Sequence, residues 1–188
     1  SRCMARDYSV LFLTQEDSIE ASVTRQVASE GRISLTRLRG GNLSDEEWGR
    51  LSEAVESLRT MNLRVDDQGA LTLLDVRRKA QQVKRKHGLH VVVIDYLQLV
   101  TGDGDNRNQQ LGQIANGLKA TAKEFGIGII LLSQLNREAE KRAGVPQMGD
   151  LRESGDIEGA ADVILLLHRE YMRTQQEQQK HWAQVHIA

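Results

Sequence analysis

Cysteine, proline and aromatic side chains are scarce in this 188-residue sequence, which has one Cys, one Pro and 4% aromatics. The lone cysteine, Cys3, excludes an internal disulfide framework and fits a reducing compartment, so a cytoplasmic location is expected. Few aromatics argue against a surface that stacks bases on rings, as single-strand binders often do. No run approaches the ~20 apolar residues needed to span a bilayer, and no signal-peptide pattern opens the chain. No membrane partner is therefore expected. Excess charge is lacking as well: 25 Lys and Arg face 26 Asp and Glu, a formal net of −1. Bulk electrostatics do not mark a nucleic-acid binder, although a local loop can touch phosphates without making a domain basic. Internal repeats are absent. So is any Gly-Lys pair, and with it the phosphate-cradling pattern G-x-x-x-x-G-K-[ST].

The length suits one well-cored domain over residues 1–188. "YSVLFLT" (8–14) reads as a buried strand, followed by a helix to about Gly31 for which Asp17 and Glu20 have capping-box spacing. "RGGN" (39–42) reads as a turn. "SDEE" (44–47) repeats the capping signal and opens a helix through roughly Met61. "LRVDD" (63–67) is a brief strand. "LTLLDVRRKAQQVKRKHG" (71–88) is a helix that Thr72 can cap, with cations gathered where they complement its dipole.

The most apolar stretch is "HVVVIDYLQLV" (90–100), continuous rather than alternating, as in a central strand covered on both faces. "TGDGDNR" (101–107) is a loop, and Asn108 to Phe125 keep helical spacing. "GIGIILLSQ" (126–134) and "ADVILLLHR" (161–169) read as two further fully buried strands. Between them, 135–159 is polar, irregular and long enough to suspect function. Residues 170–182 form a polar excursion, and "AQVHIA" begins another strand. The alternation implies an α/β fold with a mostly parallel central sheet flanked by helices.

In such sheets ligands bind beyond the carboxyl ends of the strands. The residues standing there are Glu16, then Asp95 and Tyr96, then Ser133 and Gln134. Four apolar residues followed by Asp95 have the form of a Walker B element, whose carboxylate orients Mg²⁺, usually through water. A buried aspartate capping a turn has the same pattern. Glu16 could polarise a water for attack on a γ-phosphate; equally, it could satisfy backbone N–H groups where a helix begins. Gln134 can donate and accept together, as a γ-phosphate sensor must, or it can simply end a strand. His87 and His90 straddle a helix–strand junction without a nearby cysteine, and His181 and His186 lack partners, so no zinc pattern forms. "RRKAQQVKRK" (77–86) reads as a solvated helix face rather than a nucleic-acid patch.

Taken together, "VIDYLQL" (93–99), "LSQLNR" (132–137) and "DLRESGDIEGAADVILLLHRE" (150–170) resemble the catalytic domain of DnaB-type replicative DNA helicases, a RecA-like P-loop NTPase core. "LRGGNLSDEEW" (38–48) and "LDVRRKAQQVKRKHGL" (74–89) are similar to the intervening helices, and the resemblance runs from Val10 to Ile187. It implies an enzyme that hydrolyses ATP with Mg²⁺ and translocates on single-stranded DNA as a homo-hexameric ring, with a primase and a helicase loader as partners. Asp95 takes the Walker B role on Mg²⁺, Glu16 the general base and Gln134 the γ-phosphate sensor. The family's usual Ser-Leu-Glu-Met stands here as "TQED" (14–17), so the glutamate is kept among altered neighbours. Arg152, Glu153 and Gly155 of "LRESG" match a loop that grips the DNA backbone, and 101–109 is similar to a second channel-lining loop. An arginine and a glycine N–H can hold phosphate without reading bases, as a translocating motor requires. Without the resemblance, "LRESG" reads as a solvated turn into a helix that Ser154 caps.

The family's phosphate loop, arginine-finger segment and N-terminal helical domain have no counterpart among these residues. The resemblance thus implies the middle of a helicase ATPase domain. A non-catalytic RecA-like scaffold or interaction module is the alternative, because the phosphate loop carries most nucleotide affinity. A RecA-family recombinase shares the fold, but "DYLQL" with "LRESGDIEGAAD" favours the helicase.

Overall fold

The computed structural model describes residues 7–102, 106–136, 139, 142, 144–151 and 155–188, with the backbone alone at 155 and 156. Four parallel strands form the central sheet: β1 (Val10–Thr14), β2 (Leu63–Asp66), β3 (Val91–Asp95) and β4 (Gly128–Leu131), in the order β2-β1-β3-β4. The helices between them are α1 (Ile19–Glu30), α2 (Leu35–Gly40), α3 (Asp45–Arg59), α4 (Leu73–His87) and α5 (Arg107–Phe125). After β4 come α6 (Gly155–Ala160), β5 (Leu165–His168), α7 (Tyr171–Thr174) and β6 (Gln184–Ile187).

Local chemistry sets the helix starts. Ser44 and Glu47 close a reciprocal capping box on α3, and Thr72 and Asp75 do the same on α4. Asn106 accepts from the Gln109 N–H and caps α5, so that helix begins at Arg107, within the expected loop. On α1 the cap is Ser18, whose hydroxyl accepts from the Ala21 N–H, rather than Asp17. Asp17 is engaged elsewhere: its N–H donates to Thr14 Oγ1, and its carboxylate pairs with Arg25. The "RGGN" turn is the end of a further short helix, α2, which stops at left-handed Gly41 (φ 69°).

The central strand behaves as its composition predicts. Val92, Val93 and Ile94 are buried, Val92 and Ile94 against α4 and α5, Val93 with Val10 on the opposite face. Each such side chain contributes about 1.5–3 kcal/mol of apolar burial. Two expectations fail. β4 is not fully buried: it is terminal in the sheet order, and Ile130 is 43% exposed. Nor is "ADVILLLHR" a buried parallel strand. Only Leu165–His168 is extended, and it pairs antiparallel with β6, leaving Leu167 70% exposed. An unbroken apolar run states hydrophobicity but not how many neighbours a strand has, and the chain turns back through α7 to form a separate two-stranded sheet. No helix among the described residues is long and apolar enough to cross a membrane.

Candidate active site

Parallel pairing places the carboxyl ends of β1 and β3 side by side, with Thr14 in register with Asp95. The ladder runs one step further, the Gln15 N–H donating to the Asp95 carbonyl at 3.0 Å. Thr14 then closes a tight turn with Asp17, its hydroxyl accepting from the Asp17 N–H at 3.3 Å. That turn leaves Glu16 exposed just beyond the strand end. Glu16 lies close enough to Asp95 that its charge disfavours ionisation there. Burial pushes the Asp95 carboxyl up most, Glu16 pushes it further, and the Arg25 guanidinium works against both.

Asp95 also lines a cleft of about 300 Å³ with Phe12 and with Asp17, Ser22, Arg25, Gln26 and Ser29 from the α1 side. Ser22 is buried there, and its hydroxyl has no hydrogen-bond partner among the described residues. A half-buried carboxylate repelled by a second one is the setting a dication relieves. Mg²⁺ asks little more of a protein than one or two carboxylates, because it keeps waters and phosphates as its other ligands. Among the described residues no three His, Cys, Asp or Glu side chains are grouped to hold a metal. Asp95, with Glu16 near it, is therefore the donor set available, and it fits a hydrated Mg²⁺ better than a fully protein-bound metal.

Gln134 lies past the end of β4, on the other side of β3. It is exposed, and the contacts that fix it are to its backbone. Gln98 reaches its N–H and carbonyl from the short 3₁₀ turn Leu97–Leu99 that follows Asp95, and Ser133 Oγ also donates to that carbonyl at 3.4 Å. Glu16 and Asp95 are thus brought together, while Gln134 joins them through that turn. Of the expected DNA-binding residues, Gly155 is the first residue of α6; Arg152 and Glu153 lie outside the described residues. So do 103–105 of the second expected loop, whose last part, from Arg107, is already helix.

Sequence reasoning missed Arg25, Ser22, Gln15 and Gln98. The Gln15 amide bridges two segments, Nε2 donating to the Tyr96 carbonyl at 3.4 Å and Oε1 accepting from the Leu71 N–H at 3.0 Å. Arg25 on α1 carried no signal, since its partner lies outside its own helix. Gln98 stood inside a quoted motif, and an amide one turn beyond a strand-end carboxylate was the clue available.

Comparison with known proteins supports the fold and assigns the family. The sequence model of the DnaB-like helicase C-terminal domain matches residues 1–188. Replicative DNA helicase DnaC of Bacillus subtilis (strain 168) is 38% identical over 186 residues, 97% of this chain and 41% of its own length. Replicative DNA helicase DnaB of Rickettsia typhi is 42% identical over 173 residues, 90% of this chain and 35% of its own. Among solved structures, the ATPase domain of G40P superposes with a TM-score of 0.91 at 31% identity, covering 100% of this chain and 69% of that one. A DnaB-like replicative helicase, described with its interactions with primase, gives 0.89 at 31% identity, covering 96% of this chain and 45% of that one. This chain spans about two-fifths of the length of the curated relatives it matches. With a RecA-like parallel sheet and an acidic pair at the edge where such sheets bind ligands, the chain belongs to the family of DnaB-like helicase C-terminal domains.

Proposed function

We propose that this chain is the core of an ATP-driven replicative DNA helicase that moves along single-stranded DNA as a hexameric ring. The observation that supports the reading best is the registration of Asp95 with the end of β1, which sets Glu16 beside it at the sheet's carboxyl edge. Asp95 would hold Mg²⁺ through water, and Mg²⁺ when bound supplies charge neutralisation at the phosphates. Glu16, exposed just past the strand end, would accept a proton from the attacking water. Gln134 would contact the terminal phosphate with its side-chain amide, its backbone being held by Gln98. The cradle for the phosphates is not among these residues, so the activity belongs to the full-length protein.

Arg152, Glu153 and Gly155 would meet the DNA backbone, the arginine and the glycine N–H as donors and the glutamate orienting the loop. Homo-hexamer formation and contacts with a primase and a loader are part of the same proposal. The test is ATP hydrolysis by the full-length protein with and without single-stranded DNA, alongside unwinding of a forked duplex. Hydrolysis stimulated by DNA, with unwinding, is expected. Arg152→Ala should weaken single-strand affinity and unwinding together. A full-length protein that neither hydrolyses ATP nor unwinds would leave the non-catalytic scaffold as the reading.

A further inference from the structure

We propose that Gln98 is a positioning residue that ties the Asp95 strand end to Gln134 on one side and to the start of α5 on the other, coupling the nucleotide site to the DNA-facing loop. The inference rests on the helicase reading and adds to it a residue that touches neither nucleotide nor DNA.

Pairing between the segments that follow β3 and β4 outlasts the strands themselves. The Leu132 N–H donates to the Ile94 carbonyl at 3.0 Å, and the Leu97 N–H donates back to the Leu132 carbonyl at 2.8 Å. Past that point no backbone among the described residues continues the ladder, and the Gln98 side chain takes over. Its Oε1 accepts from the Gln134 N–H at 3.2 Å. Its Nε2 donates to Ser133 Oγ at 3.0 Å and to the Gln134 carbonyl at 3.4 Å. A primary amide is the neutral side chain that reproduces a peptide unit, donating and accepting together. Gln98 thereby acts as one more rung and fixes the main chain from which the Gln134 side chain projects.

The main chain of Gln98 faces the other way. Its carbonyl accepts from Arg107 Nη2 at 2.7 Å, and the same nitrogen reaches the Val100 carbonyl at 3.3 Å. Arg107 Nη1 donates to Gln110 Oε1 at 3.0 Å, which holds the guanidinium against the first turn of α5. Hydrogen bonds from a cation are the stronger kind. Arg107 opens α5 directly after the loop that resembles a channel-lining segment. One residue thus grips the sensor strand with its side chain and the root of the loop with its backbone. A shift of Gln134 reaches Arg107 through two sets of hydrogen bonds and a single short turn. The turn itself is well fixed, since Leu97 and Val100 are fully buried in the core.

The test uses the full-length protein and measures ATP hydrolysis with and without oligo-dT, the KM for ATP, and thermal stability. Gln98→Met keeps the length and removes every rung. It should cut the stimulation by oligo-dT about fivefold or more, within the usual range of site-to-site coupling, while the KM for ATP stays within about twofold, since the Asp95 and Glu16 side chains, which Gln98 does not hold, are left in place. Gln98→Glu, which keeps an acceptor but loses the Nε2 donor, should show the same loss and serves if the methionine variant does not fold. Gln98→Asn keeps the amide on a shorter stem and should recover part of the stimulation. A fall in melting temperature with unchanged stimulation in both Gln98→Met and Gln98→Glu would make Gln98 a merely structural residue and overturn the inference. A parent protein with no DNA-stimulated hydrolysis would instead overturn the helicase reading and this inference with it. A stimulated parent with equally stimulated variants removes this inference alone.

Discussion

Gly117, in the middle of α5, lies against the Leu73 side chain at the start of α4, and Gly117→Ala measures that contact. A Cβ added there would sit 2.2 Å from Leu73 Cδ2, with Leu73 Cδ1 at 3.2 Å and Cγ at 3.3 Å. Turning the Leu73 tip does not open the space, because its other methyl and branch carbon are already close. Leu73 must leave the cluster it packs against, or the helices must part. Overpacking of this kind costs about 1–3 kcal/mol. The opposing term is helix propensity, since alanine is favoured over glycine by about 1 kcal/mol inside a helix. The steric term outweighs it over most of that range, for a net loss of up to about 2 kcal/mol. For a chain of this size that lowers the melting temperature by roughly 2–4 °C per kcal/mol. Equilibrium urea unfolding of parent, Gly117→Ala, Leu73→Ala and the double variant gives the complete cycle. In the Leu73→Ala background the clash is gone, so Gly117→Ala should gain about 0.5–1 kcal/mol. A single Gly117→Ala variant with a raised unfolding midpoint would refute the packing argument outright.

Asp95→Asn should abolish hydrolysis yet stabilise the nucleotide-free protein. Burial and Glu16 raise the Asp95 pKa above its usual 3.8, so the stability tied to the neutral carboxyl is complete below that value and lost as pH rises through the folded one. Melting curves at pH 7 and pH 3 check the sign: the advantage of the variant should be clear at pH 7 and close at pH 3, and an equal gap at both refutes it. Thr72→Ala removes the cap of α4, where the Asp75 N–H donates to Thr72 Oγ1 at 3.1 Å. It should cost about 1 kcal/mol by urea unfolding, and a neutral result would mean the helix start is held by other contacts.

Local features were legible in the sequence because their partners lie a few residues away. Ser44 with Glu47 is such a case, its box forming as spaced, and Thr72 caps its helix as read, with Asp75 closing that box unforeseen. So is β3, whose unbroken Val-Ile run requires cover on both faces. The α1 cap failed by one residue because Thr14 and Arg25 claim Asp17, a competition set by the turn and by a side chain two turns into α1. Strand burial at β4 and β5 failed for a different reason: sheet order is a property of pairing, which apolar runs do not encode. The candidate site divides in the same way. Asp95, Glu16 and Gln134 could be nominated because strand ends can be counted along the chain. Gln98 and Gln134, 36 residues apart, meet only once β3 and β4 pair. Arg25 enters the cleft only once α1 lies beside the sheet.

If Glu16 and Asp95 form the hydrolytic edge of a DNA-driven motor, Glu16→Gln in the full-length protein must show it. The substitution keeps the size of the side chain and removes the base. The turnover number for ATP in the presence of single-stranded DNA should fall by about 10²–10⁴, while nucleotide affinity and hexamer formation match the parent. A Glu16→Gln protein that hydrolyses ATP at the parent rate would contradict the account.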